Sequence, residues 1–282
     1  MTRRPAGTVV VTGASRGIGA AIAARFRAEG WRVYGTSRRR VASPAGIEML
    51  VMDVRSDRQV REAVAHVEES AGAIDVLVNN AGTTHGTLAE ETPPETAREV
   101  LETNLFGTAR VIDACLPGMR ARGRGRIVNI GSLAAWVGEP GEAFYAASKA
   151  ALARYSQALR HETWALGIDV CLVEPGAFHT GIIGGTRADG DGIPEYDAIR
   201  APVRERFHRA LRGGRDPAVA AARVWRVATA RRTHFRYTAG PERAIPYVSV
   251  LLPQTLTDRL LRHAFGLPTT RARTGGNAGA RR

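Results

Sequence analysis

Short β-branched apolar runs alternate with longer stretches of helical periodicity along most of this chain. Residues 8–12 (TVVVT) are a predicted buried strand. Residues 17–29 follow as a predicted helix, closed by Gly30, a residue type suited to the position after a helix end. Further strands are predicted at 32–36, 48–54, 75–78, 126–130 and 169–173, with helices at 57–70, 93–104, 107–122 and 145–166. Strands that alternate with helices through short turns predict a parallel sheet with helices on both faces, a single doubly wound α/β domain over residues 1–240. From about 176 to 215 the periodicity fails and Gly and Asp dominate, so residues 177–215 are expected to form an irregular substrate lid. A helix at 216–230 and a strand at 235–238 resume the pattern. A C-terminal helical extension is expected at 241–270, with an amphipathic helix over 257–265 stopped by Gly266 and Pro268. Residues 271–282, rich in Gly and Arg, are expected to be a disordered basic tail.

Composition narrows the class. At 282 residues and 44% hydrophobic content the chain can bury a sizeable core, which excludes a wholly disordered protein. Two cysteines, Cys115 and Cys171, are too few for a disulfide framework. No run approaches the roughly 20 apolar residues of a membrane span, so no stable membrane insertion is expected. The N-terminus runs straight into a glycine turn without a cleavage region, so a reducing cytoplasm is the expected location. The net charge of +13 raises nucleic acid as a partner. Its arginines are spread along the chain, however, with no zinc-finger spacing or aromatic RNA-binding motif, and the reading favoured is a solvated Arg-rich surface with no nucleic-acid partner.

One compositional fact is sharper. Of 40 basic residues only Lys149 is a lysine. Arg presents a broad, permanently charged fork, whereas Lys is a compact point charge that titrates when buried. A chain that uses Arg everywhere else marks Lys149 as a position where the ammonium itself matters.

The first strand leads into Thr12-Gly13-Ala14-Ser15-Arg16-Gly17-Ile18-Gly19, and this turn opens a helix, the context a dinucleotide turn requires. Gly13 permits the tight turn; Gly17 and Gly19 let backbone approach a pyrophosphate, and the helix N-terminus offers its free N–H groups around Ile18. At the end of the second strand, Ser37-Arg38 stands where an acidic residue would select NAD. Arg38, helped by Arg16, Ser15 and Ser37, can grip a 2′-phosphate, so the expected cofactor is NADP(H). Asp53 can accept from the adenine amino group while Val54 packs on the ring. Asn80, Ala81 and Gly82 can lie against the adenosine ribose, and Asn79 can cap the sheet.

The chemistry is expected downstream. Tyr145 and Lys149 stand at i and i+4 on one helix face. A nearby ammonium and the positively charged nicotinamide would lower the phenol's pKa from about 10. The phenol could then exchange a proton with a carbonyl oxygen or an alcohol. Lys149 could also hold the ribose hydroxyls of the nicotinamide nucleotide. Ser132 can hydrogen-bond the carbonyl oxygen, and Asn104 can hold a water linking Lys149 to solvent. No metal is expected in the site.

These motifs, together with Pro175-Gly176 and Thr180, stand in the order and spacing of a known family over roughly residues 7–180. The chain resembles the short-chain dehydrogenases/reductases, and more narrowly their 17β-hydroxysteroid dehydrogenase-like branch. The cues for the branch are Glu174-Pro175-Gly176, the Thr-Ser-Arg after the second strand and the C-terminal extension. The resemblance implies a Rossmann-type domain of seven parallel strands and an Asn104-Ser132-Tyr145-Lys149 tetrad. It implies that Pro175, Gly176 and Thr180 hold the nicotinamide carboxamide, and that the protein is a homodimer or homotetramer.

The substrate side mixes Leu133, Trp136, Val137, Phe144, Phe178, Ile182 and Ile183 with few fixed charges. An apolar pocket with one polar cluster suits a bulky hydrophobic ketone or secondary alcohol, whether steroid-like, polyketide or another lipophilic carbonyl. His85 and His179 are candidate extra acid–base groups, with solvated loop histidines the favoured reading. Asp189, Asp191 and Glu195 are read as surface loop rather than a metal cluster. The expected function is an NADP(H)-dependent oxidoreductase, with a non-catalytic NADPH-sensing regulator as the alternative.

Overall fold

The computed structural model describes residues 6–179 and 192–268. Seven strands lie parallel in one sheet: β1 (Thr8–Val11), β2 (Arg32–Ser37), β3 (Ile47–Val51), β4 (Val76–Asn79), β5 (Gly125–Ile130), β6 (Ile168–Pro175) and β7 (Arg236–Ala239). Their order across the sheet is β3-β2-β1-β4-β5-β6-β7. The chain therefore winds outward from β1 through β2 to β3, then returns to the other side of β1 at β4. The winding direction reverses between β1 and β4, and it is outside the carboxyl ends of such strands that ligands bind in open α/β sheets.

Alternation along the strands decides which layer each residue meets. Val9 and Val11 of β1, with Val76 and Val78 of β4, pack against Ile22 and Phe26 of α1 (Gly17–Ala28) and Val224 of α7 (Pro217–Thr229). Val10 and Leu77 point the other way. They meet Val64 of α2 (Asp57–Ala71), Ile112 of α4 (Gly107–Ala121) and Leu159 of α5 (Ala143–Thr163). Both faces are covered, and for that reason the central strands read as unbroken apolar runs.

The structure departs from the predicted elements in three places. The two helices expected at 93–104 and 107–122 are joined without a break. Helix α3 (Pro94–Leu101) continues through a π-helical turn, Glu102–Phe106, directly into α4. The segment expected to be an irregular lid contains α6 (Asp197–Arg212), with Pro202 inside it. Its apolar residues Ile199, Val203 and Phe207 recur every four positions, a periodicity masked in the sequence by Pro202 and the Gly/Asp-rich run before it. Finally, a short helix α8 (Ile245–Leu251) precedes the terminal α9 (Gln254–Ala264).

A third, smaller apolar cluster joins α6 and α9 to the loop after β4 through Val203, Phe265 and Leu88, with Phe207 and Leu261 packed against them. Among the described residues no helix is long and apolar enough to cross a membrane.

Candidate active site

At the sheet's reversal point the turn after β1 is held from β4. The Thr12 hydroxyl accepts the backbone N–H groups of Asn80 and Ala81, each at 2.9 Å. The Asn80 side chain donates to the carbonyls of Thr12 and Gly13 at 3.0 and 3.1 Å. Gly13 and Gly17 have φ of 65° and 56°, a region costly for side chains with a Cβ. A Cβ on Gly19 would strike the Gly13 carbonyl oxygen and the Asn80 amide. The first turn of α1 has no side-chain cap and no acid, so its N–H groups remain free for an anion. This cradle fits a pyrophosphate.

The other cofactor-side residues fall as follows. Ser15, Arg16 and Arg38 are exposed at the rim, with Ser37 half-buried beside them. The Ile18 side chain is in the core, so only its backbone faces the turn. Arg38 is near enough to Asp53 for its charge to help hold that carboxyl down, but the main cause is Arg55. Arg55 grips Asp53 through Nε at 3.1 Å and Nη2 at 2.8 Å. The carboxylate expected to meet adenine is thus already engaged. Val54 is buried against Gly107 at the start of α4, so its side chain is spent on packing rather than offered to a ring. Pro175 ends β6, and Gly176 follows with its N–H on the Ala239 carbonyl. Thr180 lies outside the described residues, as do Ile182, Ile183, Asp189 and Asp191.

At the other end of the crevice, four predicted residues converge. Asn104 sits in the π-helical turn. Its Oδ1 accepts from the Thr83 N–H at 2.8 Å, and its Nδ2 donates to the Thr83 carbonyl at 3.0 Å and to Ser148 Oγ at 2.9 Å. Ser148 in turn donates to the Tyr145 carbonyl at 2.7 Å, which fixes the first turn of α5. Asn79 belongs to a separate buried ladder: it donates to Asn129, and Asn129 donates to Ser156 of α5. Lys149 is buried, with Nζ donating to the Ile130 carbonyl at 2.8 Å. Nζ lies 5.7 Å from the centre of the Tyr145 ring, and both Lys149 Nζ and Asn104 Oδ1 border Gly82. Ser132 Oγ accepts from the Ala134 N–H at 3.1 Å.

The electrostatics differ from the expectation in one respect. Burial raises the Tyr145 phenol above its ordinary value. A hydrogen bond with Ser132 opposes the rise, while the charges of Glu142 and Glu139 add to it. The Lys149 ammonium stands 5.7 Å from the ring centre. Its pKa is pulled down to about 8 by burial, and it points at Ile130. In the protein alone Tyr145 is therefore a neutral proton donor at neutral pH.

Sequence reasoning missed Glu142. It is buried just before α5, its carboxyl accepts from Thr84 Oγ1 at 2.6 Å, and burial pushes its pKa up to about 7. With Thr84, His85, Phe144 and Tyr145 it lines a small cavity. The only sequence signal was an acid three residues before Tyr145. Two expected substrate-facing aromatics are committed elsewhere. The Trp136 indole donates to Glu174 at 3.0 Å and lies under the Arg236 guanidinium, and Phe178 is buried in the core. His179 is exposed, with its N–H on the Arg215 carbonyl.

A Rossmann-type sheet with a glycine turn at its reversal point is the scaffold of a dinucleotide-dependent enzyme. The chain belongs to the short-chain dehydrogenase family, whose profile, described as short chain dehydrogenase, matches residues 7–190. It is similar to the 3-ketodihydrosphingosine reductase of Bacteroides thetaiotaomicron, 35% identical over 267 residues that cover 91% of this chain and 96% of the relative. A short-chain dehydrogenase from Streptomyces avermitilis matches at 34% identity with a TM-score of 0.77, covering 94% of this chain and 98% of that one. Another, from Burkholderia cenocepacia J2315 in complex with NADP, matches at 25% identity with a TM-score of 0.72, covering 91% and 98%. The protein is thus a nucleotide-binding oxidoreductase of this family.

Two measurements check the site. Gly19→Ala should weaken binding of the nicotinamide cofactor at least about tenfold, a loss of roughly 1.4 kcal/mol, with far-UV circular dichroism unchanged; full affinity would place the cofactor elsewhere. Glu142 has its pKa raised in the folded state above an unfolded value of about 4.3, so folded protein holds the extra proton between that pH and about 7. Its contribution to stability is complete below that window and is lost as pH rises through it. Glu142→Gln should flatten the fall in denaturant midpoint over this range, and an unchanged slope would acquit Glu142.

Proposed function

We propose that this protein is an NADP(H)-dependent ketoreductase acting on a bulky lipophilic ketone, of the long-chain or steroid-like kind, with the reverse oxidation of the secondary alcohol on the same site. The observation that carries the reading is the convergence of Ser132, Tyr145, Lys149 and Asn104 at one end of a crevice whose other end bears Arg16 and Arg38. The 3-ketodihydrosphingosine reductase, similar along almost its whole length, supports a lipophilic ketone, and the NADP-bound neighbour supports the cofactor.

The cradle at Gly13, Gly17 and Gly19 would hold the pyrophosphate of the cofactor, whose nicotinamide would supply hydride to the carbonyl carbon or accept it from the alcohol carbon. Ser132 orients the substrate oxygen by donating a hydrogen bond to it. Tyr145, neutral in its half-buried setting, donates the phenolic proton to that oxygen in reduction and takes it back in oxidation. Lys149 holds the ribose hydroxyls from its slot beside Gly82, and its charge stabilises the phenolate left after proton transfer. Asn104 keeps Thr83 and Ser148 in place and supports the relay by which Tyr145 regains a proton. Arg38 and Arg16 select the 2′-phosphate, with Ser15 and Ser37 as further donors. Pro175 and Gly176, at the end of β6, would hold the carboxamide. The working form is a homodimer or homotetramer in the cytoplasm.

NADPH oxidation, followed by absorbance over a panel of long-chain and polycyclic ketones, tests the reading. Tyr145→Phe should lower turnover by about 100- to 10,000-fold while NADPH binding persists. Wild-type-like turnover in that variant would defeat the assignment. Silence of the native protein across the panel, with NADPH still bound, would favour a sensor without turnover. Arg38→Asp should shift the ratio of NADPH to NADH efficiency toward NADH at least about tenfold, since it replaces a charge-assisted fork by repulsion; an unchanged ratio would show that Arg38 is not the selector.

A further inference from the structure

Each of the two C-terminal helices carries an apolar side with nothing over it among the described residues. On α8, Tyr247, Val250 and Leu251 stand at i, i+3 and i+4 and so share one side of the helix. They are 69%, 68% and 76% exposed. On α9, Leu256 and Leu260 are also exposed. Arg259 and His263, exposed as well, complete an i, i+3, i+4, i+7 stripe with them. Single exposed apolar residues need no explanation, but five large ones on consecutive helices do.

This face is held outward by the fold. The opposite side of α9 is anchored by Phe265, which is buried next to Phe207 and lies 5.7 Å from the Arg206 guanidinium. Leu261 packs into the same small cluster with Val203 and Leu88. Turning Leu256 and Leu260 inward would turn Leu261 outward and dismantle that cluster.

Charge identifies the occupant. From residue 245 to the end of the chain there are six arginines and one acid, Asp258. Asp258 accepts from Gln254 at 2.8 Å and, two positions from Leu256, stands on the other side of α9 from the exposed stripe. Apolar side chains with arginine among them and no acid suit an anionic lipid surface. The hydrocarbon groups enter the headgroup boundary, and the guanidinium groups meet the phosphates. A second copy of the chain is the poorer partner, because a two-fold contact sets this basic face against itself in a protein of net charge +13.

We propose that the α8–α9 face docks this protein peripherally on an anionic bilayer. Docking in this manner needs no spanning helix. It also places the bilayer near the substrate side. Val203 and Phe207 of α6, which hold α9, also lie against Gly141, the residue before Glu142. A lipophilic ketone could then enter from the lipid; that consequence rests on the proposed function, whereas the docking itself does not.

Co-sedimentation of the full chain with vesicles tests the inference independently of turnover. The protein should bind phosphatidylcholine vesicles containing phosphatidylglycerol at least about tenfold more tightly than phosphatidylcholine alone. A Val250→Asp/Leu251→Asp double variant should lose at least about tenfold of that binding, with circular dichroism and NADPH affinity unchanged. Should the double variant misfold, Arg259→Glu on the exposed stripe should show the same loss. Absence of vesicle binding would overturn the proposal. So would binding that the variants leave intact, since that would assign it to the arginines of residues 269–282 alone. Analytical ultracentrifugation in which the wild type self-associates and the double variant does not would also overturn it, assigning the face to a second copy.

Discussion

The site depends on one fastening, the Thr12 hydroxyl between the ends of β1 and β4. The last ladder pair of these strands is Val11 with Val78. Beyond it the strands would diverge, because the chain turns to α1 on one side and to the Asn80-Ala81-Gly82 turn on the other. Thr12 closes the gap by accepting two backbone N–H groups from that turn, and Asn80 returns two bonds to the carbonyls of Thr12 and Gly13. The bonds are part-buried, where leaving a polar group unmatched costs about 1–3 kcal/mol. They also bring the start of α1 so close to Asn80 that only glycine fits at position 19. The same turn carries Gly82 to Asn104 and Lys149. One hydroxyl thus sets the register between the phosphate end of the crevice and its chemical end.

The chemical end is built from paired polar groups. Asn104 needs an irregular backbone to reach both Thr83 and Ser148, and the π-helical turn supplies it; such turns cluster at functional sites because their extra residue re-aims a side chain. Burial then divides the labour among the titratable groups. It keeps the Tyr145 phenol protonated and lowers the Lys149 ammonium only to about 8, so at neutral pH the cation remains largely charged beside a neutral acid. Glu142, with a pKa of about 7, adds negative charge near Tyr145 as it ionises and so opposes formation of phenolate. The phenol's acidity is accordingly a contest between that carboxyl and the Lys149 ammonium, together with any positive charge that enters the crevice.

Much of this was legible in the amino-acid order. The strands declared themselves because both sheet faces are buried, and the glycine turn and the Tyr145–Lys149 pair are local patterns. What stayed hidden depends on contacts between distant segments. The π-helical turn shifts the helical period, so the periodicity predicts two helices where the chain runs on unbroken. Helix α6 is obscured in the sequence by Pro202, the sixth residue of the helix, where a proline removes the bond from its own N–H to the Ala198 carbonyl. The engagement of Asp53 by Arg55 lies two residues away in sequence, yet only the bend after β3 makes it bidentate. Trp136 read as a pocket wall, whereas Glu174 and Arg236 hold its indole from β6 and β7. Glu142 is the instructive miss, since an acid in a Gly-rich loop reads as solvated until Thr84 and the start of α5 enclose it.

Lys149 shows why a chain that uses arginine at 39 other positions keeps one lysine. Its slot is 4% exposed, and Nζ reaches the Ile130 carbonyl with Gly82 and Asn104 as walls. A guanidinium presents five donors in a rigid plane, and here they would face one carbonyl and a glycine turn already drawn tight by Thr12. Unmatched donors in that setting are costly, and making room for them would move the turn itself. Arginine also cannot release a proton in a protein, whereas an ammonium brought down to about 8 can give one up and take it back near neutrality. The size of the slot therefore disfavours the residue that the rest of the chain prefers, and so, under the proposed function, does the proton transfer at Tyr145.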